Sequence, residues 1–182
     1  MNYATFWQRF AAMWIDFFIL LPLFLLQGWL ESFSKSIAWT LVIPMTLAFV
    51  AYTVYCHGRF GQTIGKRIMR IRVMRTDGTP IDWRTAWLRS SSDVVFAVLR
   101  VIASFVALSA IADSDYYVSG MQRIQNRLAH EPAWLAWTET AAQIWVWSEL
   151  ITMLFNRQRR ALHDLIAGTV VAQQKFSNAQ AT

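Results

Sequence analysis

Four ionisable side chains lie inside long apolar stretches of this 182-residue sequence: Asp16, Arg100, Glu139 and Glu149. A charge surrounded by hydrocarbon is costly, so such a side chain usually faces the interior of a helix bundle or a water-filled cavity. There it can pair with an opposite charge, or it can carry an ion or a proton. Two interpretations therefore stay open, namely a buried ionic network that fixes helix packing and a polar path for a cation or proton.

The positions of these charges predict their partners. Asp16, Arg100 and Glu149 each lie six residues from the end of an apolar stretch on the same side of the membrane. At about 1.5 Å per helical residue, all three are roughly 9 Å deep. Arg100 is therefore expected to pair with Asp16, Glu149 or both. Glu139 lies near the opposite end and is expected either to stay hydrated or to meet Arg123 or Arg127.

Arg9 is expected to bind a carboxylate other than Asp16. The two residues are seven positions apart, which separates them by about 10 Å along a helix axis. Asp164, just beyond the last apolar stretch, lies at the right level. Its neighbour His163 is a candidate proton-handling residue, because histidine titrates near neutral pH.

No catalytic or metal-binding pattern accompanies these residues. His163 and Asp164 are adjacent, which is not metal-ligand spacing, and the sequence has neither a credible nucleophile–base pair nor a cofactor-binding loop. Neither an enzyme, nor a metal, nor a cofactor is expected.

The elements that must position these residues are membrane-spanning helices. The chain is 55% hydrophobic and only 15% charged, against about 25% charged residues in a typical soluble domain. A span needs about 20 mostly apolar residues. The candidate spans are residues 10–29, 37–55, 94–112 and 134–155. The predicted fold is thus an all-α membrane protein, a bundle of about four transmembrane helices. The fourth stretch is the weakest, with an interfacial helix as the alternative.

The basic residues predict the orientation. Thirteen lysines and arginines flank one side of the four stretches and three flank the other, and cytoplasmic loops carry the excess. Both termini and the loop of residues 56–93 are therefore expected in the cytoplasm. Loop residues expected to contact anionic lipid phosphates are Lys66, Arg67, Arg70 and Arg72. Because the charges flank apolar stretches, nucleic acid is not an expected partner.

Shorter elements are predicted in the loops. The basic cytoplasmic loop has an alternating pattern in residues 69–75 and a turn signal in residues 76–79, which together favour a short β-ribbon. Asp82 is then expected to cap a helix. Residues 118–128 have apolar side chains at helical spacing, which indicates an amphipathic helix on the outer surface. Residues 165–172 are too short to span and are expected to be re-entrant or interfacial.

Three segments resemble the RDD family of membrane proteins, which is named for an arginine and two aspartates. They are residues 6–12 followed by Asp16, residues 61–67 continuing to 78, and residues 160–169. Arg9, Asp16 and Asp164 match the naming residues. The resemblance implies a single membrane domain over residues 3–174, followed by a C-terminal tail of residues 175–182, in the bacterial inner membrane. A transport role is suspected for the family, and some members are linked with sodium–proton exchange.

Two functions follow as hypotheses. The first is a transporter or ion-handling protein for a cation or proton, whose polar network comprises Arg9, Asp16, Arg100, Glu149 and Asp164. The second is a non-transporting membrane scaffold or an accessory subunit of a membrane complex. Four spans make a small bundle, so a homodimer or another membrane-protein partner is expected.

Overall fold

The computed structural model describes residues 2–174, and the predicted tail of residues 175–182 lies outside the described residues. The elements in chain order are α1 (Phe6–Glu31), α2 (Lys35–Phe60), α3 (Ile64–Ile68), β1 (Ile71–Arg75), α4 (Trp83–Arg89), α5 (Ser91–Ala110), α6 (Asp113–Tyr116), α7 (Gly120–Ala129), α8 (Trp134–Phe155), α9 (Leu162–Ile166) and β2 (Thr169–Gln173). The fold is mostly helical, as predicted, with one small sheet.

Helices α1, α2 and α5 are long and apolar enough to cross a membrane. The first three predicted stretches are therefore confirmed as candidate spans, with altered ends. Helices α1 and α2 have 26 residues each, so each is about 39 Å long and exceeds the roughly 30 Å hydrocarbon layer. Helix α8 has 22 residues but is not among the three, so a fourth span stays a prediction.

The described chain forms two compact units. The first unit comprises residues 2–18, 53–90 and 147–174, and the second unit comprises residues 19–52 and 91–146. Helices α1, α2 and α8 each contribute residues to both units.

A two-stranded antiparallel sheet forms the centre of the first unit. Strand β1 pairs with β2 in a register that places Ile71 opposite Gln173 and Arg75 opposite Thr169. Ile71 and Val73 are fully buried and pack with Val171, as the period-two pattern predicts. The predicted β-ribbon is therefore present, but its second strand comes from the C-terminal segment. Residues 165–172 accordingly end in a strand, and their re-entrant or interfacial position stays a prediction.

The turn and the helix cap predicted in the loop are both present. The Arg75 N–H donates to the Thr79 carbonyl at 2.9 Å, and the Gly78 N–H donates to the Arg75 carbonyl at 2.9 Å. The Asp82 carboxylate caps α4 by accepting from the Thr85 N–H at 2.8 Å. These local bonds fix where α4 begins, and α4 in turn places Arg89 in its last turn.

Gly65 allows the short helix α3 to lie directly against α1. A Cβ atom added at Gly65 would lie 2.1 Å from the Ala12 carbonyl oxygen, far inside van der Waals contact. A glycine is therefore required for the close approach of the two backbones.

The second unit has a separate apolar core. Ala38 and Val42 of α2 pack with Leu108 of α5 and with the buried Tyr116 of α6, and the Tyr116 hydroxyl donates to the Glu31 carbonyl at 2.7 Å. The predicted amphipathic helix is present as α7. Three of its apolar side chains are exposed: Met121, Ile124 and Leu128. Its placement on the outer membrane surface stays a prediction.

Candidate functional site

Asp164 is the centre of a polar cluster in the first unit. Its side chain is 0% exposed, yet the Arg9 guanidinium donates to Oδ2 at 2.7 Å and the Arg89 guanidinium donates to Oδ1. The Ala161 N–H donates to Oδ2 at 3.1 Å, and the Thr169 hydroxyl donates to Oδ1 at 3.0 Å. The expected contact between Arg9 and Asp164 is present, with a second arginine on the same carboxylate.

Local structure delivers each member of this set. Asp164 occupies the third position of α9, where its carboxylate can accept from the backbone at the start of its own helix. Thr169 follows as the first residue of β2, Arg9 lies in the first turns of α1, and Arg89 lies in the last turn of α4. One carboxylate thus joins three segments that are distant in the sequence.

Arg89 is the member of this cluster that sequence reasoning missed. Its side chain is 4% exposed, whereas the sequence places it among the arginines of a basic loop. Arg89 Nη2 lies 2.6 Å from His163 Nε2, and His163 Nδ1 contacts the Glu149 carboxylate. Five charged or titratable side chains therefore form a continuous chain in the order Glu149, His163, Arg89, Asp164, Arg9.

The contacts of His163 fix its protonation state. A guanidinium can only donate hydrogen bonds, so Nε2 of His163 accepts from Arg89 and the ring proton lies on Nδ1, which donates to Glu149. Burial and the nearby Arg89 charge both lower the pKa of His163. The ring is therefore neutral, and its predicted role in proton handling stays a prediction.

Asp164 remains ionised. Burial by itself would raise its pKa, but the charges of Arg89 and Arg9 outweigh burial and hold the pKa well below its usual range. A buried carboxylate that accepts from two guanidinium groups has the charge partners that burial requires.

A second contact in the first unit joins two basic side chains. Lys66 Nζ lies 2.7 Å from His57 Nε2. Burial first, and then the Arg89 charge, lower the pKa of Lys66 from 10.5 to about 7, while Asp164 and Asp16 act in the opposite direction. Lys66 therefore gains or loses its proton near neutral pH.

The Lys66 ammonium group lies against His57, and its expected contact with lipid phosphates stays a prediction. The segment around Lys66 turns this side chain inward, which a count of basic residues cannot reveal. Arg67 and Arg70 are exposed and Arg72 is half-buried, so lipid contact by these three stays a prediction.

Asp16 holds the segment of residues 61–67. The Thr63 hydroxyl donates to Oδ2 at 2.5 Å and the Gly65 N–H donates to Oδ1 at 2.8 Å. Thr63 also caps α3 by accepting from the Lys66 N–H. Asp16 therefore positions the backbone that carries Lys66, a link that the sequence did not predict.

Arg100 belongs to a different set of contacts, and its predicted pairing with Asp16 or Glu149 is wrong. Its guanidinium lies 3.3 Å from Glu131 and also contacts Glu139, both in the second unit. Helix α5 begins at Ser91, so Arg100 lies about 13.5 Å from the start of the helix along its axis, deeper than the roughly 9 Å expected from the sequence. Counting along a stretch also gives no information about the direction in which a side chain points.

The second unit contains a cavity of about 690 Å³. Apolar lining residues are Phe24, Val42, Met45, Phe49, Phe96 and Val101. Polar and charged lining residues are Gln27, Glu31, Asp93, Arg100, Arg127 and Glu131. The Arg127 guanidinium contacts Glu31 at 2.5 Å, and the Gln27 amide donates to Glu31 at 2.7 Å. Nothing in the sequence predicted this cavity, since its wall comes from segments that are far apart along the chain.

Within residues 2–174, no three histidine, cysteine or acidic side chains are grouped to hold a metal ion.

The comparisons with known proteins identify a family. The model of the RDD family matches residues 3–168, a range that contains Arg9, Asp16 and Asp164. The comparison with curated proteins found no match, and neither did the comparison with solved structures. Since the matched range covers nearly the whole chain, the protein belongs to the RDD family.

Proposed function

We propose that this protein exchanges protons with a monovalent cation across the membrane, and that Lys66, beside the Asp164 cluster of the first unit, is its protonation site. The observation that carries the proposal is the contact between Lys66 and His57 at 2.7 Å, beside carboxylates that a cation or a proton can neutralise. A lysine with a pKa of about 7 changes its charge under physiological conditions.

The distribution of charge supports a mechanism of competition. Lys66 is attracted by Asp16 and Asp164 and repelled by Arg89 and Arg9. When Lys66 loses its proton, the cluster loses one positive charge, and a monovalent cation can replace that charge near the same carboxylates. Because proton and cation are then alternatives, release of one accompanies binding of the other, which is the requirement for exchange.

The proposal includes an orientation. With thirteen basic residues against three, we place both termini and the cluster on the cytoplasmic side of a bacterial inner membrane. This topology requires an even number of spans, so α8 is proposed as the fourth. Glu139 and Glu149 of α8 each have a cationic or histidine partner, which reduces the cost of placing them in the membrane.

Flux through liposomes tests the proposal. The purified protein is reconstituted with an internal pH-sensitive dye, and gradients of Na⁺, K⁺ or Li⁺ are imposed. Wild type is expected to change the internal pH with at least one cation, and Lys66→Met is expected to abolish the change. Lys35→Met is the matched control, since Lys35 pairs with the exposed Asp113 in the second unit. Absence of coupled flux in wild type, or full flux in Lys66→Met, would refute the proposal.

A second candidate function is that of a membrane scaffold or accessory subunit, and one observation favours it. The buried carboxylate of Asp164 is bound by Arg9, Arg89, Thr169 and Ala161. These contacts hold the segments that carry them together. Under this alternative, the exposed side chains Met121, Ile124 and Leu128 of α7 would hold the partner. A stoichiometric partner that copurifies with wild type and is lost when these three are changed to serine, without any coupled flux in wild type, would favour this candidate.

A further inference from the structure

We infer that the cavity of the second unit binds an uncharged organic molecule that has an apolar body and a carbonyl oxygen. The residues that line this cavity all belong to the second unit. The inference therefore neither uses nor requires the proton-exchange proposal.

The size and the walls of the cavity fit a small molecule. Sites for such ligands enclose roughly 300–1,000 Å³ and are mostly apolar with a few polar groups, and this cavity measures about 690 Å³. Phe24, Phe49 and Phe96 supply aromatic rings from three different helices, α1, α2 and α5. Met45 of α2 adds an adaptable apolar surface. Most of the body of a ligand must therefore be apolar.

The charged groups of the wall already compensate one another. The Arg127 guanidinium donates to Glu31 at 2.5 Å, and the Arg100 guanidinium lies 3.3 Å from Glu131. The remaining carboxylate of the wall, Asp93, is engaged as well. An ionic ligand, or a phospholipid with its charged phosphate, would lose hydration on entering and would meet no uncompensated opposite charge. An uncharged ligand avoids this cost.

The guanidinium groups determine the polar part of the ligand. A guanidinium has five N–H groups and can only donate hydrogen bonds. In the described part of the chain, the acceptor of the Arg127 side chain is Glu31, which binds at Nη1, and this side chain is 26% exposed. The other N–H groups of Arg127 can donate to a ligand, and a carbonyl oxygen is an acceptor that carries no charge. A pure hydrocarbon would displace water from these donors without replacing its hydrogen bonds, which is costly.

Photolabelling with benzophenone tests the inference on the full chain in lipid nanodiscs. Benzophenone is an uncharged aromatic ketone that attaches to nearby C–H bonds under ultraviolet light and prefers methionine. Met45 lines the cavity, whereas Met13 of α1 is 50% exposed and lies outside it. With rising benzophenone concentration, labelling of Met45 is expected to saturate, and labelling of Met13, the internal control, is expected to rise in proportion. Proportional labelling of Met45, or no labelling of it, would overturn the inference.

Related compounds test the charge and the carbonyl oxygen separately. The anion 4-benzoylbenzoate and the cation (4-benzoylbenzyl)trimethylammonium are photolabels too. Each is expected to label Met45 at least about tenfold less than benzophenone does, compared at equal labelling of Met13. Phenyl benzoate, which has a carbonyl oxygen, is expected to protect Met45 from benzophenone at about tenfold lower concentration than diphenylmethane, which has none. Equal labelling by either ionic ketone, or equal protection by the two competitors, would contradict the inference.

A cavity-filling variant locates the site. Gly28 lines the cavity, and a Cβ atom added there meets nothing within 4 Å. Gly28→Leu is expected to fold, since leucine favours a helix over glycine, and to reduce the saturable labelling of Met45 at least about tenfold by occupying the space of the ligand. Val98→Phe is the matched control, because Val98 of α5 is 51% exposed and does not line the cavity, so its labelling is expected to equal that of wild type. Unchanged labelling of Met45 in Gly28→Leu would refute the assignment of the ligand to this cavity.

Discussion

Replacing Asp164 with asparagine removes one negative charge from the centre of the first-unit cluster and leaves the shape of the side chain almost intact. The amide keeps one oxygen, so one hydrogen-bond acceptor survives. The guanidinium groups of Arg9 and Arg89 would then lie against an uncharged group, although their side chains are only 8% and 4% exposed.

The structure gives the magnitude of this loss. Removing one partner of a buried ion pair costs about 3–5 kcal/mol, because the other charge stays buried without compensation. Asp164 compensates two guanidinium groups at once, so the upper half of this range applies. A loss of about 4 kcal/mol shifts the unfolding equilibrium by roughly a thousandfold.

Denaturant unfolding in detergent, followed by tryptophan fluorescence, measures this loss as a change in the free energy of unfolding. The matched control is Asp113→Asn, the same chemical change at an ion pair with Lys35 in which the Asp113 side chain is 76% exposed. The control is expected to cost less than about 1 kcal/mol, because water screens an exposed pair. If the two variants lose equal stability, the conclusion that Asp164 is a buried compensating charge is wrong.

Three further predictions follow from the first unit. Gly65→Ala is expected to destabilise the fold by about 3 kcal/mol, because its Cβ would overlap the Ala12 carbonyl. Gly28→Ala is the control, because the space around its Cβ is open, and it should stabilise α1 by up to about 1 kcal/mol. Thermal unfolding of the two variants measures the difference. The pKa of Lys66 is about 7 in the folded chain, against an ordinary value of 10.5 that applies to the unfolded chain. Between these two values the unfolded chain holds the proton that the folded chain has lost, so the free energy of unfolding should rise between about pH 7 and pH 10. Lys66→Met should lack this rise when unfolding is measured as a function of pH. Asp82→Ala should cost about 1 kcal/mol through loss of the α4 cap, measured by denaturant unfolding, and a loss below the error of that measurement would show that the cap is dispensable.

Local patterns predicted the elements that depend on local physics. The lengths of the apolar stretches located α1, α2 and α5, because burial of the backbone in lipid requires long helices. The turn near Gly78 and the cap at Asp82 followed from the conformational preferences of single residues. The contact between Arg9 and Asp164 was also expected, since both residues lie at the same end of their apolar stretches.

The long-range pairing of the two strands could not be predicted from the sequence. Buried and less buried side chains alternate along β1, but its partner β2 lies almost a hundred residues later in the chain. A period-two pattern does not show which other segment a strand pairs with. Arg89 was missed for a related reason, because it lies outside every apolar stretch and is buried only when α4, α9 and β2 come together. Arg100 was assigned wrong partners, because the depth of a residue does not determine the direction of its side chain.

The two signature aspartates share one feature that explains why this residue type is needed. Each carboxylate accepts from a backbone N–H as well as from side chains: Asp16 from Gly65 at 2.8 Å and Asp164 from Ala161 at 3.1 Å. A backbone donor fixes the distance between two chain segments, and a longer glutamate would push them apart. At Asp16 the space is already full, since a Cβ added at Gly65 would lie 2.9 Å from the Asp16 Cγ. The aspartates therefore set both the spacing of the backbone and the charge around Lys66, so a variant at either position must be tested for stability and for proton binding separately.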